Sequence, residues 1–270
     1  GAERAPIATE LAGLHVATGD DAQARIVLQE LVLLKPGLLD AWLMLAGVLV
    51  RQGDRPAFDD CLLRMSRVSG AQPYVSLASA QMALRDNNRR AARASLESAL
   101  SYLPNDVRIL DLLLKLDMTE GLKDDLLVRC RSILRVNRNH ALANYAMGSL
   151  QAASGEAVLA EDSLRRSLAA VRSPNALNDL AWLLQERGEY GEAERLAREA
   201  SGIAPDLAQA WDTLGVILAK AGGADAARMD EAGQAFRKAL TIDGNAPMIV
   251  LHMAGLHAAR GRNHEARSLV

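Results

Sequence analysis

The stretch "LNDLAWLLQERGEYGEAERLAREASGIAP", Leu177 to Pro205, closes on a proline and carries small residues at Ala181, Gly188, Ala193 and Ala200. In a frame opened at Pro174, Leu177, Leu180, Ala181, Leu184, Gly188, Ala193, Ala197, Ala200 and Pro205 take positions 4, 7, 8, 11, 15, 20, 24, 27 and 32. Trp211, Leu214, Gly215, Leu218 and Gly222 take positions 4, 7, 8, 11 and 15 of a frame opened at Ala208. Trp42, Leu45, Ala46, Leu49 and Gly53 do the same from Leu39. Self-similarity at a fixed period near 34 residues marks a stacked repeat array. The frames run 5–38, 39–72, 73–106, 107–140, 141–173, 174–207, 208–246 and 247–270, the last one truncated, so a single array over 5–270 is expected. Residues 1–4 are expected to be a cloning remnant or to lack fixed structure.

The punctuation supports the frame independently. Position 15 holds Gly19, Gly53, Asn87, Gly121, Gly155, Gly188, Gly222 and Gly261, and a helix that ends in a left-handed residue takes glycine or asparagine there. Pro73, Pro174 and Pro247 open repeats, with Pro6 one place later; Pro56 opens a second helix; Pro36, Pro104 and Pro205 follow second helices. Proline is tolerated in a first turn and beyond a last one, and is costly in between. Each repeat is therefore two helices, A over about positions 2–14 and B over about 18–31. Small residues at positions 8 and 20, such as Ala181 and Ala193, let the two backbones approach closely where A crosses B.

This arrangement resembles the tetratricopeptide repeat (TPR) family, whose pattern is W-x2-L-G-x2-Y, then A-x3-F, then A and P. The resemblance covers residues 5–270 and implies an all-α, right-handed α-solenoid of stacked antiparallel helix pairs. The strings "NDLAWLL" and "WDTLGVILAKAG" are also similar to TPR arrays of bacterial envelope and exopolysaccharide-export proteins. Three departures stand out. Position 11, aromatic in the family, is leucine at Leu49, Leu184 and Leu218, alanine at Ala83, and becomes His15, Asp117, Gln151 and His257 elsewhere. Repeat four carries Leu114 and Leu126 at the crossing positions, which predicts its widest A–B spacing. Repeat seven has five extra residues around "GGADAARMDEA", placed between its helices as a longer turn or an early start to helix B.

Composition excludes several classes. The formal net charge of −2 argues against a nucleic-acid binder, which would show a basic excess. No uncharged apolar run reaches the roughly 18 residues of a membrane span. Cys61 and Cys130 fall inside helical patterns and read as buried thiols rather than a disulfide or metal pair. "GGADAA" lacks the Lys-Ser/Thr ending of a phosphate loop, and "GDD" at 19–21 reads as a helix start, where acids are favoured. The five histidines suit no zinc site; His15 and His257 read as half-buried core histidines. No catalytic, cofactor or metal site is expected, and the chain is not expected to be an enzyme.

Function, in the family this chain resembles, lies on the concave face formed by helix A at positions 2, 5, 9, 12 and 13. In repeats three and four these positions give Tyr74, Gln81, Arg85, Arg108, Asp111 and Lys115, three cations around one acid, suited to an acidic segment or to local ion pairing. In repeats five to seven they give Tyr145, Asn178, Trp182, Gln185 and Asp212. Trp182 stands at position 9, whereas Trp42 and Trp211 stand at the packing position 4. A groove-facing tryptophan is a typical interface anchor. The family's two-carboxylate clamp series is absent. The expected function is a protein-interaction scaffold holding a partner peptide or protein segment. The alternative is a recruiting or regulatory segment of a larger bacterial enzyme or glycan-export assembly. The last frame stops inside helix B without a polar cap, which suggests a fragment of a longer protein and offers an apolar end for self-association.

Overall fold

The computed structural model describes residues 4–269. All regular elements among them are α-helices: α1 (Arg4–Thr18), α2 (Asp21–Leu34), α3 (Leu39–Gln52), α4 (Arg55–Met65), α5 (Gln72–Arg85), α6 (Arg89–Tyr102), α7 (Val107–Glu120), α8 (Lys123–Val136), α9 (Ala141–Ala153), α10 (Ala157–Ala170), α11 (Pro174–Glu186), α12 (Tyr190–Ile203), α13 (Ala208–Gly222), α14 (Ala226–Ile242), α15 (Pro247–Ala259) and α16 (Asn263–Leu269). Odd-numbered helices are the A helices and even-numbered ones the B helices of the eight frames. Residues 1–3 of the expected N-terminal remnant lie outside the described residues. Arg4 belongs to α1, so the first helix begins one residue before the frame.

The chain divides into two compact units between Asp125 and Leu126, in the first turn of α8. The division falls in repeat four, whose crossing positions carry Leu114 and Leu126, both buried. In the first unit each helix through α7 packs on its sequence neighbour, and α3 also packs on α1 and α5. The second unit repeats the scheme from α9 to α16, with α11 packing on α9 and α13, and α13 on α15. Helix pairs joined by short turns and stacked in sequence order are the construction of an α-solenoid.

Local chemistry explains the boundaries. Asp20, Asp54 and Asn88 accept from the backbone N–H of Gln23, Ala57 and Ala91, so B helices start where a side chain satisfies an orphan donor. Ser173 does the same for α11 through Ala176. Asp20 is thus a cap and accounts for the "GDD" string. Gly19, Gly53, Gly121, Gly155, Gly188 and Gly261 hold positive φ, and Asn87 joins them at 55°. Gly222 does not: α13 runs through it and Gly223 takes the positive φ of 52° instead. The five extra residues of repeat seven lengthen α13 by one residue and start helix B early, giving a 17-residue α14. Helix α4 is shorter than its frame suggests. Ser66 Oγ turns back to the Leu63 carbonyl at 2.8 Å, and Gly70 adopts positive φ before α5 begins.

Position 4 has a defined task. Trp42 Nε1 donates to the Pro36 carbonyl at 2.8 Å and Trp211 Nε1 to the Pro205 carbonyl at 3.0 Å, each six residues back. In repeat five Asn144 Nδ2 reaches the Arg138 carbonyl at 2.8 Å, again six back. The side chain ties helix A to the turn before it, so Trp42 and Trp211 are structural.

Position 8 sets the helix spacing. A Cβ on Gly215 would lie 2.6 Å from the ring of Phe236, and one on Gly148 would lie 2.8 Å from Leu164 Cγ and 3.2 Å from the Ala160 carbonyl. Position 11 of repeat four departs from the apolar rule and is satisfied locally. Asp117 is fully buried and accepts from Arg93 Nη1 at 2.7 Å, while Arg93 Nη2 holds Glu120 at 2.8 Å. Burial lowers the Arg93 pKa, but the bonds to Asp117 and Glu120 outweigh it and raise the pKa overall. Ion pairs also join successive B helices of the second unit, as in Arg165–Glu192 at 2.9 Å and Arg198–Glu231 at 2.7 Å. Being exposed, each of these is worth little alone.

Two stability outcomes follow from this packing. Gly215→Ala is expected to cost about 1–3 kcal/mol, because Phe236 is enclosed and cannot yield. Gly202→Ala, with nothing within 4 Å of the new methyl group, should be neutral or stabilising by up to about 1 kcal/mol. Urea unfolding of the two variants checks this; a Gly215→Ala protein as stable as wild type would mean that the crossing is not close-packed. Arg93→Met is expected to cost about 3 kcal/mol by leaving a buried carboxylate short of its guanidinium. A measured loss below about 1 kcal/mol would show that Asp117 does not depend on Arg93.

Candidate functional site

The A helices of each unit present one row of side chains, and the two rows differ in chemistry. In the first unit, Arg108 is fully committed. Its Nε and Nη2 grip Asp106 at 3.1 and 2.7 Å, its Nη1 reaches Asp40 at 3.0 Å, and its guanidinium lies 5.8 Å from the centre of the Tyr74 ring. The bonds to Asp106 lead the causes that push the Arg108 pKa upward, and the Asp106 pKa is correspondingly lowered, first by Arg108. Arg85 lies over Gly53, where a Cβ would meet its Nη2 at 2.6 Å. There it covers the carboxyl end of α3, the end that favours a cation. Lys115 is exposed and Asp111 half-buried. Gln81 is half-buried beside Gly47, its Oε1 hidden and without a hydrogen-bond partner. Arg85 and Arg108 thus sit at opposite ends of the A helices and do not converge on one ligand, and local ion pairing describes Arg108 best.

In the second unit the predicted residues do come together, and two unpredicted ones join them. Trp182 on α11 is half-buried, its ring centroid 6.1 Å from that of His252 on α15, two repeats on. Phe236 approaches His252 from α14 at 6.2 Å. His252 Nδ1 lies 2.9 and 3.0 Å from the two carboxylate oxygens of Asp212 on α13. Gln185, 2% exposed, accepts from Lys220 Nζ at 2.9 Å but leaves its own Nε2 unpartnered. Asn178 hides an unpartnered Oδ1. Asn178, Trp182 and Gln185 are spaced i, i+4, i+7, one stripe along α11.

Asp179 is the second unpredicted member. Asn178 Nδ2 and Ser149 Oγ each reach it at 3.4 Å, and Tyr145 lies near enough to influence it. Burial pushes the Asp179 carboxyl above the usual range, and those three polar neighbours offset the shift only in part. Burial first, and the Asp179 charge second, push Tyr145 up to about 12. Asp179 and His252 both occupy position 6, where repeats two to five carry Met44, Ala78, Leu112 and Ala146. A charged or imidazole side chain at a position that is apolar in repeats two to five was the available signal, a weak one since Glu10 and Thr213 occupy it in repeats one and seven.

Away from these rows the chemistry is quiet. Cys61 and Cys130 are buried and form no disulfide, and burial pushes the Cys61 thiol up to about 12, leaving it protonated and a poor nucleophile at neutral pH. His15 lies 3.4 Å from Asp20. His257 is half-buried with Nδ1 unpartnered, so it is not the satisfied core histidine expected. Among the described residues no helix is long and apolar enough to cross a membrane.

A raised carboxyl pKa has a definite sign in stability. The folded state holds the proton more tightly than the unfolded chain, so stability falls as pH rises from the ordinary value of 3.8 through the folded-state value. Asp179→Asn is therefore expected to raise the thermal midpoint at pH 7, with the gain shrinking as pH is lowered toward 4. Melts across that range test it, and a variant less stable than wild type at pH 7 would show that the carboxylate is well solvated.

No protein-family profile matches the chain, and no curated protein matches it. Solved structures do. The Cut9–Hcn1 hetero-tetramer of APC/C superposes with a TM-score of 0.63 at 16% identity, over 96% of this chain and 52% of that one, so this chain spans about half its length. PilW, described as a type IV pilus biogenesis factor, gives 0.59 at 18% identity, over 73% of this chain and 90% of that one. YrrB, described as a TPR protein with an unusual peptide-binding site, gives 0.52 at 16% identity, over 64% and 88%. At such identities the likeness is one of fold, and it agrees with the repeat frame, the helix pairs and the small residues at their crossings: the chain has the tetratricopeptide-repeat fold.

Proposed function

We propose that this chain is a protein-interaction scaffold that holds a segment of a partner protein or peptide against the A-helix row of its second unit, with Trp182 as the anchor. One observation carries the reading. A half-buried indole stands on a polar stripe between a buried acceptor, Asn178 Oδ1, and a buried donor, Gln185 Nε2, neither with a hydrogen-bond partner among the described residues. Buried polar groups are normally satisfied, and a peptide backbone supplies both an N–H and a C=O. Large aromatic side chains beside such groups are frequent binding hot spots. The peptide-binding site named for YrrB supports the reading by analogy of fold. The reading assigns the chain a binding role and no catalytic step.

Selection of displayed random peptides on the wild-type protein tests this. Enriched peptides are expected to lose about 30-fold or more in affinity to Trp182→Ala, the scale of a hot-spot tryptophan. Far-UV circular dichroism should meanwhile remain that of a helical protein. Peptides that bind wild type and Trp182→Ala equally would place the site elsewhere.

A further inference from the structure

The A-helix row of the second unit holds a carboxylate that no cation among the described residues neutralises. Asp179 is half-buried between α9 and α11, and its neighbours Asn178, Ser149 and Tyr145 are uncharged. The 3.4 Å contacts from Asn178 and Ser149 are at the weak end for hydrogen bonds. Among the described residues no Arg, Lys or His forms an ion pair with it. Three other acids on the A helices have such a partner: Asp212 has His252, Asp40 has Arg108 and Asp117 has Arg93. Taking a carboxylate out of water without a cation is expensive. Next to it lies a second unmet acceptor, Asn178 Oδ1. One helical turn on stands Trp182, whose ring face attracts cations.

We propose that Asn178, Asp179 and Trp182 form a receptor for a basic side chain, arginine or lysine, carried by the partner segment. The proposal rests on the groove reading above and adds the partner's chemistry to it. An arginine fork has five donors in a plane and can serve neighbouring acceptors together, while a lysine ammonium brings three. Either converts an unpaired carboxylate into a paired one at the moment of binding, so the cost held in the free protein is recovered in the complex. In the first unit the carboxylates beside Arg108, Asp106 and Asp40, already hold their cation.

The test uses peptides enriched on the wild-type protein and resynthesised with each arginine replaced by citrulline and each lysine by norleucine. One basic residue is expected whose replacement lowers affinity at least 10-fold. Asp179→Asn should bind the parent peptide as weakly as wild type binds the replaced one, and should no longer distinguish the two. Asp179→Asn keeps the side-chain shape while removing the charge and turning one acceptor oxygen into a donor, and Asn178→Ala gives an independent second variant with a smaller loss in the same direction. Peptides that require Trp182 but tolerate loss of every basic residue, or that bind Asp179→Asn unchanged, would overturn the proposal and leave the groove reading standing. Failure to find any Trp182-dependent peptide would overturn both.

Discussion

The closeness of helix A to helix B at position 8 is the constraint on which the rest depends. Gly215 leaves room for the Phe236 ring and Gly148 for Leu164 and the Ala160 carbonyl, each at a distance that excludes even a methyl group. Fixing that crossing fixes where the B helix ends and therefore where the next A helix starts. The position 4 donors, Trp42, Asn144 and Trp211, then tie each of those A helices to the turn before it. A packed interior transmits such a constraint because it does not deform freely. The row of A-helix side chains is thus a product of small residues that never touch it.

Most of this scaffold was legible in the sequence because its signals are local. Glycine at a left-handed terminus, proline in a first turn and aspartate at a cap each act within a few residues, and seven of the eight position 15 residues sit where the frame puts a positive φ. The exceptions are also local in cause. Insertion in repeat seven moves the turn glycine from Gly222 to Gly223, and Ser66 ends α4 early. The division of the chain at Asp125 and Leu126 had no compositional marker, since no Pro- or Gly-rich linker lies there.

The candidate site was legible only in part, for a physical reason. Periodicity says which face a residue occupies, not which partner reaches it. Trp182, Asn178, Gln185 and Asp212 were found by face alone. Asp179 and His252 were missed because position 6 lies at the edge of that face and is apolar in repeats two to five. Arg108 is exposed, and one of its two acids, Asp40, comes from a helix two repeats earlier. Contacts of that range arise from how successive A helices stack, and Trp182 with His252 shows the same two-repeat reach in the second unit.

That reach lets each row settle its own charge, and the two units do so differently. In the first, Arg108 spans from α7 to α3 and satisfies Asp106 and Asp40, so its charges are consumed within the fold. Charges committed in this way stiffen a surface and make a poor receptor, because a ligand must first displace them. In the second, Asp212 is taken up by His252, but Asp179 has only uncharged neighbours and Asn178 keeps a bare acceptor. An unmet group of this kind destabilises the free protein. Within a scaffold whose stability comes from repeated apolar crossings, that cost can be tolerated locally. The same crossings hold α9 and α11, which carry Tyr145, Asn178, Asp179 and Trp182, so the proposed receptor is ordered in the free protein.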